Sequence, residues 1–379
     1  MAISLRDKLK AADAPMQTPG VCKKRGLTIT DTVFPLDQFK YLSYINTETM
    51  RIMDKVRLPE DIHPERILYL DTETTGLSTG AGTVAFLVGA GFITPAGFTV
   101  RQYLMGDYCD ELDLLRQIST LMNKFDMLVT FNGSSFDLPL LSVRLTMNRL
   151  QTDILEIPHM DLLHIARRVF KLRLKHCNLS FLEEAVLGIQ RTEDIPGAEI
   201  PARYFRFLQT GVYDLLSDIL MHNSQDIVSL LKLLSFIIYM YDHPEEVRHH
   251  EDVYSIGVAL EKRRLYEQAR VCYQLTSKGS TALFSLKRLA HNYRRSNELD
   301  SAVRTFEALT HSYSEIDPYI ELAKLYEHRL KDIDLALNYT VRAMTLLDKL
   351  SFSNDPTVQV MKNAIQYRYN RLVRKRAKR

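Results

Sequence analysis

The sequence predicts an α/β fold, a mixed sheet flanked by helices, followed by an all-α helical-repeat domain. Three observations carry this. Apolar strand-like runs and amphipathic helical stretches alternate from residue 67 to residue 131. From Tyr254 onward every periodicity is helical, and small residues recur at 33 to 34 positions. At 379 residues the chain exceeds one ordinary core, so two or three domains are expected. We place an N-terminal extension at 1–60, the α/β domain at 61–245, and the repeats with a basic tail at 250–379.

Hydrophobic residues make up 46% and charged residues 25%, as in ordinary globular proteins. No apolar run reaches the ~18 residues of a membrane span. The first ten residues carry charges where a signal peptide needs an apolar block. A cytoplasmic protein without membrane contact is expected. Cys22, Cys109, Cys177 and Cys272 offer no zinc spacing. The net charge of +3 hides an asymmetry. Residues 1–250 carry 26 Lys+Arg against 31 Asp+Glu, a net −5, and residues 251–379 carry 23 against 15, a net +8. The basic rear suits nucleic acid or an acidic protein.

Among residues 1–60, Lys23-Lys24-Arg25 reads as a solvated loop and Leu27–Thr30 as a short strand. The organising stretch follows. Ile67-Leu68-Tyr69-Leu70 is a buried strand that runs into Asp71-Thr72-Glu73-Thr74-Thr75-Gly76. Strand side chains alternate, so Asp71 and Glu73 share one face and Thr72 and Thr74 the other. Two adjacent carboxylates at a buried strand end repel each other and lose hydration. A divalent cation relieves both, and hard oxygen ligands suit Mg²⁺ or Mn²⁺. The plainer alternative is an exposed strand end with scattered acids.

Gly76 to Gly82 is a turn without phosphate-binding glycine spacing. Thr83–Ile93 and Phe98–Met105 are strands joined by Pro95-Ala96-Gly97, completing an antiparallel meander. Asp110–Phe125 is a helix with Leu112, Leu114, Leu115, Ile118, Leu121 and Met122 on its inner face. Met127–Phe131 is a fourth strand, and the helical crossover favours parallel pairing with the first. Asn132-Gly133 makes a turn, and a helix starts near Phe136 with Asp137 in its first turn. Asn132 and Ser134 then lie at the C-terminal edge of the sheet, where open α/β folds bind ligands.

Asp161–His176 reads as a helix capped by Asp161, with five basic residues from Arg167 to Lys175. That run is either a solvated face or a phosphate contact. Asp161 and His159 are alternatively supporting groups behind the site. Asn178–Gly188 is a helix, Arg191–Pro201 a loop, and Tyr204–Thr210 a helix. In the long helix Tyr213–Tyr241, His222 and Asp226 share a face at i and i+4.

Asp71, Glu73, Asp137 and Asp226, in this order and these settings, resemble the ribonuclease H-like exonuclease superfamily with its Asp-Glu-Asp-Asp signature. The first motif matches Asp71 to Gly76, the second Asn132 to Asp137, and the third His222 with Asp226. The YprB-like ribonuclease H-like group resembles this chain more fully, through Asp161-Leu162-Leu163-His164 and the loop Glu193 to Gly197. The likeness covers about residues 60–240. One departure stands: His222 lies four before Asp226, where members with histidine usually place it five before. The resemblance implies two-metal hydrolysis of phosphodiesters, with Mg²⁺ or Mn²⁺ ions ~3.5–4 Å apart. It implies that Asp71 bridges the ions, that Glu73 and Asp226 complete the first site, and that Asp137 holds the second. It implies that His222 orients or deprotonates the attacking water, and that degradation runs 3′→5′ from a free single-stranded end of DNA or RNA. Thr74, Asn132 and Ser134 stand as substrate-binding candidates.

In the rear domain Ala269, Ala302 and Ala336 recur at 33 and 34, and Ala290 and Ala323 at 33. Period and small-residue placement resemble tetratricopeptide repeats, which implies a concave face for a protein partner, a strand-supplying helicase being one expectation. Arg371 to Arg379 holds six basic residues, either a solvated tail or a phosphate contact. A non-catalytic nucleic-acid-binding or scaffold protein on the same fold is the alternative reading.

Overall fold

The structure, a computed structural model, describes residues 26–54, 58–76, 82–150, 154–191, 195–350 and 356–378. Lys23-Lys24-Arg25, most of the turn after Gly76, and Glu193 of the loop motif lie outside the described residues. The chain divides into two units, one of Met1–His164 with Asn178–Phe236, the other of Ile165–Cys177 with Ile237–Arg379.

The first unit is built on a six-stranded sheet in the order β1-β4-β3-β2-β5-β6. The strands are β1 (Thr28–Phe34), β2 (Ile67–Thr74), β3 (Ala85–Thr94), β4 (Gly97–Leu104), β5 (Met127–Thr130) and β6 (His159–Asp161). β2, β3 and β4 form the antiparallel meander, and β2–β5 and β5–β6 are parallel. The sheet is therefore mixed. β1 is longer than its sequence suggests and pairs with β4 along its full length. Arg101 clamps Asp31 opposite it, at 2.6 Å between Nη2 and Oδ2. β6 was hidden in the stretch read as the start of a helix; α4 begins one residue later, at Leu162.

Before that come α1 (Thr47–Met53), α2 (Glu111–Met122) and α3 (Asp137–Met147), and α4 is Leu162–Phe170. Of the six residues read on the inner face of α2, Leu114, Leu115, Ile118, Leu121 and Met122 are buried in one core with Leu68, Leu70, Val88 and Leu128, while Leu112 is half-buried and outside it. After α4 follow α5 (Leu179–Leu182), running into a π turn Glu183–Leu187, then α6 (Ile200–Thr210) and α7 (Ser217–Asp242). Tyr204 of α6 stacks on Phe86 of β3, ring centroids 3.9 Å apart.

α7 sets the geometry of the site. The span Tyr213–Asp242 is apolar enough in length and composition to cross a membrane, which corrects the expectation that no such segment exists. Polar residues interrupt the run in sequence, but 67% of its most apolar stretch is buried, as in a core helix. It closes onto β3 through two glycines on one face. A Cβ at Gly89 would lie 2.3 Å from Asn223 Oδ1, and one at Gly91 would lie 2.4 Å from Ile227 Cγ2. Asn223 and Ile227 are one helical turn apart. Bare backbone on β3 is what lets this helix seat against the sheet.

The second unit carries α8 (His250–Lys262), α9 (Tyr266–Leu275), α10 (Ala282–Arg295), α11 (Leu299–Ser312), α12 (Asp317–Leu325) with a π turn Tyr326–Leu330, α13 (Ile333–Leu350) and α14 (Pro356–Arg376). Ala269, Ala290, Ala302, Ala323 and Ala336 are all fully buried, where small side chains let helices approach closely. Part of the basic end is paired within the protein. Arg368, Arg371 and Lys375 of α14 converge on the buried carboxylate of Glu327 at 2.6 to 2.8 Å, and Arg376 pairs with Asp334 at 2.8 Å. Within the basic run that spans the last turn of α4 and the residues after it, Arg173 grips the buried Asp252 at 2.7 Å, while Arg167, Arg168, Lys171 and Lys175 are exposed.

Candidate active site

β2 outruns its parallel neighbour. Its pairing with β5 ends at Tyr69, while Asp71 to Thr74 continue along β3. The acids thus sit where β2 has one free edge. Asp71 Oδ2 accepts a hydrogen bond from Asn223 Nδ2 at 2.9 Å. Asn223 is itself wholly buried, and its Oδ1 accepts from Gln102 Nε2 at 2.9 Å. This chain from β4 through α7 to β2 fixes the first carboxylate.

Asp137 fills the edge that β5 leaves open. Its Oδ1 accepts from the Thr72 hydroxyl at 2.5 Å, and its carboxylate also accepts from backbone N–H groups of Thr72 and Asp137. Thr72 is therefore not turned away from the site, as strict alternation implied; it holds the third acid, because Asp137 flanks the strand edge rather than one face.

Asp137 is positioned in turn by the 132–134 turn. Asn132 adopts φ 66°, the left-handed region that asparagine tolerates. Parallel pairing of β5 and β6 sets Asp161 opposite Thr130. From there Asp161 accepts from the backbone N–H of Asn132 at 2.7 Å and of Ser134 at 3.1 Å, and from the Ser134 hydroxyl at 2.5 Å. It also caps α4 through Leu163 N–H at 3.1 Å. Its two expected roles, cap and support, are both present. His159 Nε2 meets Thr130 Oγ1 at 2.8 Å.

On α7, His222 Nε2 lies 3.4 Å from Asp226 Oδ2 and 3.9 Å from Glu73 Oε1. This joins the helix motif to the strand motif. Between them stands Arg191, largely buried, which the sequence placed in a loop. Its guanidinium donates to Asp226 Oδ1 and to Glu183 Oε2, and Nη1 lies 2.9 Å from His222 Nδ1. Glu183, fully buried on the π turn, also accepts from the Ser229 hydroxyl.

The electrostatics follow from burial and crowding. Burial, then Asp226, Asp137 and Glu73, push the Asp71 carboxyl far above the usual carboxylate range, against the Asn223 hydrogen bond. Burial, Asp226 and Asp137 push Glu73 up to about 8. Burial raises Asp137 to about 6, although Thr72 pulls the other way. Burial raises Asp226, opposed by His222 and Arg191. Desolvation of these carboxylates, with repulsion of Asp71 and Glu73 by Asp226 and Asp137, marks a site short of positive charge. The oxygen donor set fits hard divalent cations. Asp71, Asp137 and Asp226 are nevertheless each engaged by a separate partner, Asn223, Thr72 and Arg191, while Glu73 shares His222 with Asp226. Among the described residues, the set whose ligand atoms all fall within 4.8 Å of one another is His243, Glu245 and Glu246 of the second unit, two of them exposed.

The sequence-chosen acids and His222 are thus brought into one neighbourhood. The three substrate-binding candidates are engaged within the protein. The Thr74 hydroxyl donates to the Gly76 carbonyl at 2.7 Å, the Ser134 hydroxyl is bound to Asp161, and the Asn132 amide N–H is bound to the same carboxylate. Arg191, Glu183 and Asn223 escaped the sequence reading. Asn223 did leave a signal, as a polar residue on the helix turn shared with Ile219 and Ile227. Arg191 left none.

Residues 68–238 match the RNase_H superfamily, a span holding all four acids and His222. The chain is 33% identical over 294 residues to the uncharacterized protein YprB of Bacillus subtilis (strain 168), covering 74% of this chain and 69% of that protein. Among solved structures, the family B DNA polymerase of the hyperthermophilic archaeon Pyrobaculum calidifontis aligns at a TM-score of 0.37 and 15% identity, over 53% of this chain and 29% of the polymerase.

Proposed function

The chain belongs to the RNase H superfamily alongside YprB, and from that membership and its carboxylate site we propose that it is a metal-dependent exonuclease acting on single-stranded ends of DNA or RNA, in the 3′→5′ direction. One observation supports this above the rest. Asp137 at the start of α3 and Asp226 on α7 lie close enough to raise the proton affinity of Asp71 and Glu73 on β2.

Asp71, Glu73, Asp137 and Asp226 are the groups that would hold divalent cations, two Mg²⁺ or Mn²⁺ on this reading. Such ions, when bound, supply the positive charge that acidifies water and stabilises a leaving oxygen. The chain's own residues do the rest. Asn223 and Thr72 hold Asp71 and Asp137 in place. Arg191 is a positioning residue for Asp226. A guanidinium can only donate, so His222 Nδ1 accepts and the neutral ring carries its proton on Nε2. That N–H faces Asp226 and Glu73, so His222 orients groups in the site rather than removing a proton. The helical repeats, read as tetratricopeptide-like, hold a protein partner; a helicase that feeds single strands fits this role.

A second reading has its own support. Arg191 sits on Asp226, and the acids are spread wider than a closed metal cluster. A non-catalytic strand binder would keep this arrangement. The deciding experiment is digestion of end-labelled DNA and RNA, blocked at either end, with Mg²⁺ or Mn²⁺. Shortening from unblocked 3′ ends that is lost in Asp71→Ala and Asp226→Ala is expected. Mn²⁺-dependent shortening retained in either variant refutes the proposal, and binding without shortening selects the second reading.

A further inference from the structure

The second unit holds a cavity of about 620 Å³ whose lining includes Glu261, Arg288, Arg294, Arg295, Lys324 and Arg329. The wall comes from α8, α10, and α12 with its π turn, the first helix of each successive pair. Lining positions recur at the repeat period: Glu261 and Arg294 are 33 apart, as are His291 and Lys324. The cavity is thus a product of the repeat, one face presented three times.

Its charge is unbalanced. Five Lys or Arg side chains line it. Two carboxylates answer them: Glu261 pairs with Arg288 at 2.7 Å, and Glu321 pairs with Arg294 and, at 2.7 Å, with Lys324. Arg295 and Arg329 have neutral partners instead, the Tyr266 hydroxyl and the Asn297 side-chain oxygen. The Arg295 guanidinium also lies over the Tyr266 ring, 4.4 Å from its centroid. These contacts hold the two forks in place and leave their charge uncompensated.

We propose that this cavity binds the phosphate backbone of a single nucleic-acid strand, independently of base sequence. Guanidinium forks match phosphate geometry. An acidic peptide is the competing polyanion, but peptide docking draws on apolar anchors in pockets. Leu325 is the single apolar residue among nine that line this cavity. A strand backbone needs charge alone, and no Phe, Tyr or Trp is among the lining residues to offer a base a broad stacking surface, the two rings there being the imidazoles of His291 and His328. The identity of the polyanion rests on the nucleic-acid reading given above; the charge imbalance does not.

The test is fluorescence anisotropy of the full chain with labelled single-stranded DNA and RNA in EDTA, titrated with salt. Arg295→Gln/Arg329→Gln is expected to weaken binding and to reduce the slope of log affinity against log salt by about 1.4, at ~0.7 per lost phosphate contact. Arg295→Lys/Arg329→Lys keeps the charges and should keep the slope, and circular dichroism melts verify that both variants fold. A wild-type slope in the glutamine variant overturns the proposal, as does binding of poly-glutamate without binding of either oligonucleotide. Failure of the nuclease reading shows separately, as an oligonucleotide that is held here with the salt slope of these arginines yet never shortened when Mn²⁺ is added.

Discussion

Truncating Arg191 to alanine removes one cation from between two buried acids. Glu183 is fully buried and Asp226 is 14% exposed at the side chain, and Arg191 itself is 11% exposed. After truncation Glu183 keeps only the Ser229 hydroxyl among these contacts, and Asp226 keeps His222. Breaking a buried pair by removing one partner costs about 3–5 kcal/mol. A domain is stable by about 5–15 kcal/mol, so the loss is a large share of the total. Urea unfolding followed by far-UV circular dichroism measures it, since the chain has no tryptophan to report by fluorescence. The double variant Glu183→Gln/Arg191→Met should lose less than Arg191→Met alone, because no acid is then stranded at Glu183. Strand shortening should fall 10–100-fold in Arg191→Ala, as for other groups that orient a metal ligand. A stability loss below about 1 kcal/mol, or a double variant no better than the single, would show that Arg191 is not what neutralises this cluster.

Two further outcomes follow from the same geometry. Gly89→Ala places a methyl 2.3 Å from Asn223 Oδ1; overpacking of about 1–3 kcal/mol and a weakened hold on Asp71 are expected, and thermal melts with and without Mn²⁺ check both, a wild-type profile ruling the contact out. In the metal-free protein the raised proton affinities of Asp71, Glu73 at about 8 and Asp137 at about 6 mean that the folded site binds more protons than the unfolded chain. Its contribution to stability is therefore full below the unfolded carboxylate range and is lost as pH rises to about 8. Melting temperatures should fall over that interval, less steeply in Asp71→Asn, and added Mn²⁺ should stabilise more at pH 8 than at pH 5.5, because binding must displace protons; a pH-independent Mn²⁺ effect would contradict this.

Much of the fold was open to reading from the chain alone. The apolar run Ile67 to Leu70, the inner face of α2, the parallel crossover to β5 and the buried repeat alanines all appear where periodicity put them. These features depend on neighbours within a few residues, and side-chain period records such neighbours directly. The candidate acids were legible from residue type and spacing, Asp71 and Glu73 alternating on β2, Asp137 at the start of α3 and Asp226 one turn from His222 within α7, a set that resembles a known signature. Partner choice was not. Arg191 looked like a loop cation until the fold set it against Glu183, Asp226 and His222, 8, 35 and 31 residues away. The terminal basic run from Arg371 offered a solvated reading until Glu327, 44 and 48 residues earlier, drew Arg371 and Lys375 inward, with Arg368 just ahead of the run joining them. The linear order of residues thus determined the elements and which of them carry the acids. Only the tertiary structure decided which charges neutralise which, because burial and Coulomb attraction act through space and leave no period in the chain.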